Sequence, residues 1–294
     1  MNSYSIGVIA FNEGANIARL LRNIANQKLT SGVANEVIVV SSGSSDRTNE
    51  IIAEFSKHSN KIKLLTQARR LGKSSAINLF LQNAKNEICI LINGDAYPGK
   101  DALQKLIVPL ENPLIGMVGA QPIPLNNSGT FIDFVIHFLW RLHHRISLKS
   151  PKMSELIVIR KSVINHISEY TVADEVYMES VVKKSSCKMA YIPDATVYIK
   201  TPANIKDFIL QRRRITVGHI WSKINLKYTP STCNKGLIIE AYFKELKSNP
   251  QCIFFALGAI SLEFISRMLG IYDYYILKKN PYIWKVVRPV HKDL

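Results

Sequence analysis

Residues 88–98 read ICILINGDAYP, and this stretch decides the fold that the sequence predicts. Five apolar residues in a row predict a strand buried on both faces, as in a parallel sheet covered by helices. Asn93, Gly94 and Asp95 follow directly and make a polar turn at the end of the strand. In an open α/β sheet, ligands bind at the carboxyl ends of the strands. The stretch therefore predicts a buried strand that presents Asp95 to a ligand.

The residues before this stretch alternate between short apolar runs and amphipathic stretches, from Ile6 to about Leu110. Alternating strands and helices are typical of a parallel sheet with helices on its faces. The pattern therefore predicts an α/β, nucleotide-binding layer. Its predicted elements are strands at 6–10, 36–40, 61–65 and 88–92, and helices at 15–27, 46–57 and 74–85.

Two other strands of this layer also end in polar turns. The first is followed by FNEG, with Asn12 and Glu13. The second is followed by SSGSSD, with Ser41, Ser42 and Asp46. Ordinary turn and helix-cap chemistry explains any one of these turns alone. Three of them at one edge of a sheet instead predict a single polar ligand site.

Basic residues surround Gly72 in RRLGKSSAIN, where the third predicted helix begins. Arg70 and Lys73 would face a diphosphate together with the backbone N–H groups of the helix start. An ordinary basic helix start is the alternative on so cationic a chain. Asp95 would hold a hard divalent cation together with phosphate oxygens, or else form an Asx turn before Pro98.

The second half of the chain adds two acidic residues and a basic helix. TVADEVYMES sets Asp174 and Glu175 at a helix start, where the helix dipole stabilises carboxylates. Thr171 with Asp174 also resembles a capping box, which explains Asp174 but not Glu175. QRRRI places Gln211 and Arg214 three residues apart on one helical face. A run of arginines is also typical of a solvated face or a nucleic-acid contact.

The other elements predicted in this half are a helix at 131–148, a strand at 155–160, a helix from 174, a strand at 188–193 and a helix at 204–220. In the first of these helices, Trp140, His143 and His144 either line an acceptor site or belong to a packing face with exposed histidines.

The segment 251–277 near the C-terminus is the most apolar part of the chain. Its uncharged part, 252–262, is shorter than the roughly 20 residues needed to cross a bilayer. We therefore expect an amphipathic, membrane-associated helix that is interfacial or re-entrant. A true span is the alternative, since Glu263 and Arg267 are four residues apart and would pair.

Composition indicates one catalytic domain with an appendage. The chain has 294 residues, 47% of them hydrophobic, and a formal net charge of +16. That charge attracts nucleotide phosphates, anionic lipids or nucleic acid alike. The four cysteines form no CxxC pair and no secretory signal is apparent, so we expect reduced thiols in a cytosolic compartment.

Taken in order, these motifs resemble those of glycosyltransferase family 2, whose members invert the anomeric carbon and have the GT-A fold. FNEG resembles the opening nucleotide contact, SSGSSDRT the Asp-Asp-Gly-Ser-x-Asp loop and NGD the DxD metal motif. ADE occupies the place of the Thr-Glu-Asp catalytic motif, and QRRRI that of Gln-x-x-Arg-Trp. The resemblance covers nearly the whole chain and is closest to the membrane-associated cellulose, hyaluronan and poly-N-acetylglucosamine synthases.

The resemblance implies a set of roles for residues of this chain. Glu175, or alternatively Asp174, would be the catalytic base. Asp95 would bind Mg²⁺ or Mn²⁺ on the diphosphate, and Arg214 and Lys73 would assist the leaving group. The residues implied to bind the nucleotide sugar are Phe11, Asn12, Glu13, Ser41, Ser42, Asp46, Arg70, Lys73, Asn93, Gly94, Gln211 and Arg214.

Several positions depart from the family pattern. Ser41 and Ser42 stand where two aspartates often contact the base and ribose, and Asn93 replaces the first DxD aspartate. Glu175 stands at the place of the catalytic aspartate, and Ile215 at that of the tryptophan near the acceptor. The missing tryptophan, together with a single apolar helix, argues against synthesis of a long polysaccharide.

The predicted domains are a GT-A catalytic domain at 1–225 and a membrane-associated helical region at 226–294. The first divides into a nucleotide-sugar half at 1–125 and an acceptor half at 126–225. A UDP-sugar is the first expectation for the donor and a GDP-sugar the second. The expected acceptor is a lipid-linked molecule or a glycan, at the cytoplasmic face of the cell membrane, with no nucleic-acid partner.

Three other functions remain open from the sequence. A degenerate transferase kept as a binding scaffold is suggested by the serines and Asn93 at acidic positions. A basic nucleic-acid-binding module is suggested by the net charge, although no recognised motif of that kind is present. A nucleotidyltransferase shares the need for a metal and a nucleotide cradle.

Overall fold

One mixed sheet lies at the centre of the computed structural model, which describes residues 2–30, 32–126 and 129–283. In chain order its strands are β1 (Asn2–Ala10), β2 (Gly32–Ser42), β3 (Ile62–Gln67), β4 (Ile88–Asn93), β5 (Tyr97–Pro98), β6 (Ile115–Pro124), β7 (Leu156–Arg160) and β8 (Lys188–Ile199). Across the sheet the order is β3-β2-β1-β4-β7-β6-β8-β5. Residues 284–294, which belong to the predicted C-terminal region, lie outside the described residues.

The first half of the sheet is parallel and confirms the predicted α/β layer. β1 pairs in parallel with β2 and β4, and β2 pairs in parallel with β3. Ala10 lies opposite Ser41, and Ile9 lies opposite Asn93, so these strands end at the same edge. The three polar turns therefore meet at that edge.

The second half of the sheet mixes both directions. β7 runs antiparallel to β4 and to β6, and β8 runs parallel to β6. Ile92 of β4 lies opposite Leu156 of β7. The residues just before β7 are therefore beside the turn that carries Asp95.

β8 is longer than the sequence pattern predicts. It continues to Ile199 instead of ending at 193, because the sheet accommodates Pro193 and Asp194 in an irregularity. Ala120 of β6 pairs with Ile192, and the next residue, Gln121, pairs with Thr196. An irregularity of this kind lets a strand contain a proline without losing its pairing on either side.

Helices cover both faces of the sheet, and each of the predicted helices is present. They are α1 (Ile17–Ala25), α2 (Thr48–His58), α3 (Lys73–Asn83), α4 (Ala102–Ile107), α5 (Phe131–Lys149), α6 (Asp174–Lys184), α7 (Ile205–Asn225), α8 (Lys235–Ser248) and α9 (Ile253–Tyr275). One apolar cluster lies under α1, α2 and α4, and another lies under α3 and α6. A third joins α5, α8 and α9 beside the sheet.

Ion pairs join α7 to α9. Arg212 donates to Glu263 at 2.7 Å, and the guanidinium of Arg213 donates two hydrogen bonds of 2.7 Å to Asp273. Glu263 also pairs with Arg267, as the spacing predicts. Arg212 and Arg213 therefore hold α9 in place, and the interpretation of this basic run as a solvated or nucleic-acid-binding face is wrong for these two residues.

The side of α9 that faces away from α5, α7 and α8 is apolar and exposed. Pro250–Tyr275 is long and apolar enough to cross a membrane, but a buried core helix can have the same length and hydropathy. Only 17% of the most apolar 18-residue stretch of this helix is buried inside the protein, so α9 is not a core helix. Its most exposed large side chains include Phe254, Phe255, Leu257, Phe264, Ile265, Met268 and Tyr272.

Gly270→Ala should destabilise the protein by about 1–3 kcal/mol, the usual cost of overpacking a tight contact. A Cβ at Gly270 would lie 2.6 Å from Thr216 Cβ and 2.9 Å from the carbonyl oxygen of Arg213. Urea unfolding followed by circular dichroism measures the change in the free energy of unfolding.

Gly236→Ala on α8 is the matched control for that variant. A Cβ at Gly236 meets only Asn234 Oδ1, at 3.4 Å. We expect unchanged or slightly higher stability, because alanine favours the helix over glycine. Equal stability losses in the two variants would show that α7 and α9 do not pack as described.

Candidate active site

Hydrogen bonds between the first two polar turns fix their arrangement. Asn12 has a left-handed φ of 55°, which asparagine tolerates, and its side chain accepts from Ser45 N at 2.8 Å. Asp46 accepts from Gly14 N at 2.9 Å and from Thr48 N at 3.0 Å. Asn12 and Asp46 therefore shape the edge of the site through backbone contacts.

Ser41 and Ser42 are buried beneath this edge, at 1% and 4% exposure. Ser41 Oγ donates to Ser44 Oγ at 2.8 Å, and Ser42 Oγ accepts from Leu71 N at 3.3 Å. Their hydroxyls are thus engaged inside the protein. The contact of these serines with a nucleotide stays a prediction.

Phe11 and Arg70 form a more open wall of the same edge. The guanidinium of Arg70 lies 4.0 Å from the centroid of the Phe11 ring, a cation–π contact. Gly43, with a φ of 71°, lets the second turn pass close by, since a Cβ there would lie 2.4 Å from Arg70 N. The wall presents an aromatic face beside a cation, which suits a base and a phosphate.

Two carboxylates come together where β1 and β4 end. Gly94 N donates to Ile9 O at 2.8 Å, and a Cβ at Gly94 would lie 2.8 Å from Glu13 Cγ. Burial and then the charge of Asp95 raise the pKa of Glu13 to about 8. Burial likewise raises the pKa of Asp95. Without a cation, each of these two carboxyl groups is therefore harder to ionise than usual.

Glu13 and Asp95 fit a divalent cation that takes its other ligands from a bound nucleotide. Mg²⁺ and Mn²⁺ prefer hard oxygen ligands, and Mg²⁺ commonly uses one or two carboxylates together with phosphate oxygens and water. A cation would also offset the repulsion between the two carboxylates. Within 2–30, 32–126 and 129–283, no group of three or more His, Cys, Asp or Glu forms a ready metal cage.

The ammonium group of Lys73 lies between the two acidic residues at the start of α6. Its Nζ is 2.9 Å from a carboxylate oxygen of Asp174 and 2.8 Å from one of Glu175. α6 has no side-chain cap, and the hydroxyl of Thr171 donates to the carbonyl of Ala173. The capping-box interpretation of Thr171 and Asp174 is therefore wrong.

The two acids of α6 differ in their electrostatic environment. Burial and then the charge of Glu175 raise the pKa of Asp174 to about 6. Burial also opposes ionisation of Glu175, but Lys73 and Lys152 outweigh it and hold its pKa below the usual value. Glu175 is therefore a carboxylate at neutral pH, as a general base must be.

α7 brings Arg214 to the same cluster. Burial lowers the pKa of Arg214 to about 10, while the neighbouring carboxylates act in the opposite direction, so the guanidinium stays charged at neutral pH. A Cβ at Gly218 would lie 3.1 Å from Ala173 Cβ, so α7 packs against the start of α6. Gln211 lies one turn earlier on α7 and is half-buried.

Sequence reasoning missed Glu155, which directly precedes β7. Its carboxylate accepts a hydrogen bond from the side-chain amide of Asn93. Burial raises its pKa to about 7, with Lys73 opposing and Glu175 and Asp95 adding to the shift. Glu155 could have been identified only from the pairing of β7 with β4, which places it beside Asn93. A single sequence does not predict that pairing.

Trp140, His143 and His144 pack within α5 and against β8. The rings of Trp140 and His143 meet edge-on with centroids 4.9 Å apart, and His144 Nδ1 lies 2.9 Å from the Tyr191 hydroxyl. Burial lowers the pKa of His143 to about 3. These contacts favour a packing role, with partly buried rather than exposed histidines.

Several curated proteins with similar sequences are named as glycosyltransferases. The beta-monoglucosyldiacylglycerol synthase of Trichormus variabilis is 33% identical over 129 residues, which are 43% of this chain and 27% of that protein. The dolichol-phosphate mannosyltransferase of Pyrococcus furiosus is 23% identical over 197 residues, 64% of this chain and 55% of that protein. The matched regions thus span about half or less of these relatives.

Solved structures of similar shape have the GT-A fold. A mannosyltransferase from Pyrobaculum calidifontis, in complex with GDP-Man and Mn²⁺, has a TM-score of 0.62 at 21% identity, over 95% of this chain and 81% of that chain. Glucosyl-3-phosphoglycerate synthase from Mycobacterium tuberculosis, with Mn²⁺, UDP and phosphoglyceric acid, has a TM-score of 0.54 at 18% identity, over 76% and 79%. At these identities the likeness shows the fold.

The family model described as glycosyl transferase family 2 matches residues 5–166. That range is more than half of the 294 residues. It contains the three polar turns, the start of α3 and the entrance to β7. On this match, together with the GT-A fold, the chain belongs to glycosyl transferase family 2.

Proposed function

We propose that the enzyme moves a sugar from a nucleoside diphosphate donor to an acceptor at a membrane surface, with inversion of the anomeric carbon. The observation that carries the proposal is the pairing of Glu175 with Lys73, whose charges also act on Asp95 and Arg214. Direct displacement requires a base for the acceptor and a site for the leaving diphosphate. The cluster supplies both.

Glu175 is the proposed general base. Its carboxylate takes the proton of the acceptor hydroxyl as that oxygen bonds to the anomeric carbon and the bond from this carbon to the diphosphate breaks. Attack from the side opposite the leaving group inverts the configuration. Asp174 is the alternative base, with the disadvantage that a pKa of about 6 leaves part of it protonated near neutral pH.

Asp95, with Glu13 beside it, would hold Mg²⁺ or Mn²⁺ on the diphosphate. The cation, when bound, neutralises charge on the leaving group. Arg214 and Arg70 are close enough for Arg70 to contribute to the lowered pKa of Arg214, after burial. Two guanidinium groups near each other suit the oxygens of a diphosphate.

Lys73 takes a different role from the one that the sequence implied. Its ammonium group is engaged by Asp174 and Glu175. We assign it to keeping Glu175 ionised and in place, and we assign the leaving group to the two arginines.

A UDP-sugar remains our first choice for the donor and a GDP-sugar the second. The Phe11–Arg70 wall accepts the ring of either base. The solved neighbours support both, since one contains UDP and another GDP-Man.

A lipid-linked acceptor is supported by α9 and by the relatives, with a glycan as the other candidate. The apolar face of α9 is exposed, and the net charge of +16 suits the anionic cytoplasmic leaflet. The names of two relatives specify diacylglycerol and dolichol phosphate. Because Arg212 and Arg213 tie α9 along α7, docking in the interface fits better than a lone span.

Glu175→Gln should lower kcat by about 100- to 10,000-fold, because the amide cannot accept the acceptor proton. The assay is nucleoside diphosphate release from UDP-, GDP- and dTDP-sugars with Mg²⁺ or Mn²⁺ and lipid phosphate acceptors. Asp95→Ala and EDTA should abolish release as well. Product NMR reports the anomeric configuration.

Glu111→Gln, at an exposed residue that ends the short turn after α4, is the matched control and should keep full activity. Near wild-type turnover in Glu175→Gln would refute the base assignment. Release of nucleoside monophosphate products would indicate a nucleotidyltransferase. If the protein neither transfers sugar from a donor nor hydrolyses one, a degenerate transferase that serves as a binding scaffold is favoured. If it binds nucleic acid in a salt-sensitive way and transfers no sugar, a nucleic-acid-binding protein is favoured.

Lys73→Met should cost about 3–5 kcal/mol of stability at neutral pH, because it leaves two buried carboxylates without their cation. Without Lys73, the folded-state pKa values of both carboxyl groups would rise, because each loses a neighbouring positive charge. Acids of that kind lose stability as the pH rises, so the deficit should shrink when the pH is lowered from neutral toward the unfolded pKa values.

Urea unfolding at several pH values measures this deficit. Lys57→Met is the control, since Lys57 pairs with Glu54 at the surface and both side chains are more than half exposed. We expect little change in stability at any pH. A deficit for Lys73→Met that is independent of pH would contradict the paired arrangement.

Phe254→Ser with Phe264→Ser should weaken binding to vesicles of anionic phospholipid by about tenfold or more, because two exposed aromatic side chains of α9 are lost. Co-sedimentation measures the partition. Leu114→Ser, which removes an exposed leucine before β6, is the control and should bind like wild type. Unchanged binding of the double variant would exclude α9 as the docking surface.

A further inference from the structure

The entrance to β7 carries two polar side chains that the mechanism above does not use. Ser154 and Glu155 immediately precede β7, and Leu156 lies opposite Ile92 of β4. This pairing sets Glu155 beside Asn93, whose amide donates a hydrogen bond to its carboxylate. The family motif often has an aspartate where this chain has Asn93. The carboxylate of Glu155, from the position before β7, therefore lies beside the place of that missing aspartate.

A narrow cavity runs from this point to the catalytic helix. Its lining includes Asn93, Glu155, Lys73, Asp174 and Glu175. Glu155 therefore lies in the space between the proposed metal edge and the proposed base. The cavity has room for about one water molecule or one sugar hydroxyl. The transferred sugar lies against this side of the site, because its anomeric carbon bonds first to the diphosphate and then to the acceptor oxygen.

Ser154 provides a second and independent observation at the same cavity. It is only 7% exposed and lines the cavity together with Glu155. Its hydroxyl has no hydrogen-bond partner among the described residues. A buried polar group without a partner costs stability, which a bound ligand offering a hydrogen bond would recover.

We propose that Ser154 and Glu155 bind hydroxyl groups of the transferred sugar, with Glu155 supplying, from the position before β7, the carboxylate that Asn93 does not supply from β4. The inference rests on the proposed function. A carboxylate accepts hydrogen bonds from sugar hydroxyls, and the amide of Asn93 orients it. Since Asp174 and Glu175 line the same cavity, a neutral sugar is favoured here and a uronic acid is disfavoured by charge repulsion.

Calorimetry on the purified full chain separates this role from a metal-binding role. With Mn²⁺ present, Glu155→Gln should bind UDP and GDP within about twofold of wild type. For whichever of UDP-glucose and GDP-mannose the wild type binds more tightly, the affinity of Glu155→Gln should be about 10- to 100-fold lower than that of wild type. This loss is typical of one hydrogen bond to a charged group. Ser154→Ala, which removes only the hydroxyl, should show a smaller loss of the same kind.

A carboxylate exchange keeps the test valid where a single variant folds poorly. Asn93→Asp alone sets two carboxylates side by side and should weaken sugar-nucleotide binding. Combined with Glu155→Gln, it restores one carboxylate and one amide in swapped places, and it should recover at least part of the lost affinity. Glu111→Gln is the control outside the cavity.

Each other outcome overturns the inference in a recognisable way. Equal losses of affinity for UDP and for UDP-glucose in Glu155→Gln would assign Glu155 to the metal or diphosphate. Wild-type affinity for the sugar nucleotides in both single variants would leave the cavity without a role in sugar binding. If wild type itself binds no sugar nucleotide and releases no diphosphate, the proposed function fails, not this assignment alone.

Discussion

The contact of Lys73 with Asp174 and Glu175 is the interaction on which the site depends. Lys73 begins α3, directly after the parallel layer's basic turn, and the two acids begin α6 in the second half of the chain. The pairing joins the start of α3 to the start of α6 through buried side chains. A buried acidic pair without this ammonium group would be unfavourable, because each charge would lose water and face the other. Folding and chemistry therefore use the same ionic group.

Much of the parallel layer could be predicted from local sequence. The apolar runs of β1, β2 and β4 and the turns after them are continuous segments, so periodicity and turn chemistry identify them directly. Asp95 and Glu13 follow from this reasoning because parallel strands end at one edge. Glu155 does not, because its position depends on the antiparallel pairing of β7 with β4, which joins residues more than 60 apart.

The interpretation of the basic run in α7 failed for a related reason. Three consecutive arginines point in three directions around a helix, and composition cannot say what each one meets. Arg212 and Arg213 meet acids that interrupt the apolar pattern of α9. Arg214 faces the carboxylates of the site. Likewise, the resemblance of Thr171 and Asp174 to a capping box was local, and the tertiary contact with Lys73 prevailed.

The pairing of α7 with α9 has a geometric consequence for the acceptor. Arg214 lies on α7, and its neighbours Arg212 and Arg213 form ion pairs with α9. The opposite side of α9 is the exposed apolar face. On a chain docked through that face, the catalytic carboxylate would stand at a set height above the headgroups. The enzyme would then select acceptors by the distance of their hydroxyl group from the membrane surface. A hydroxyl held nearer to the lipid plane or farther from it would not meet the anomeric carbon.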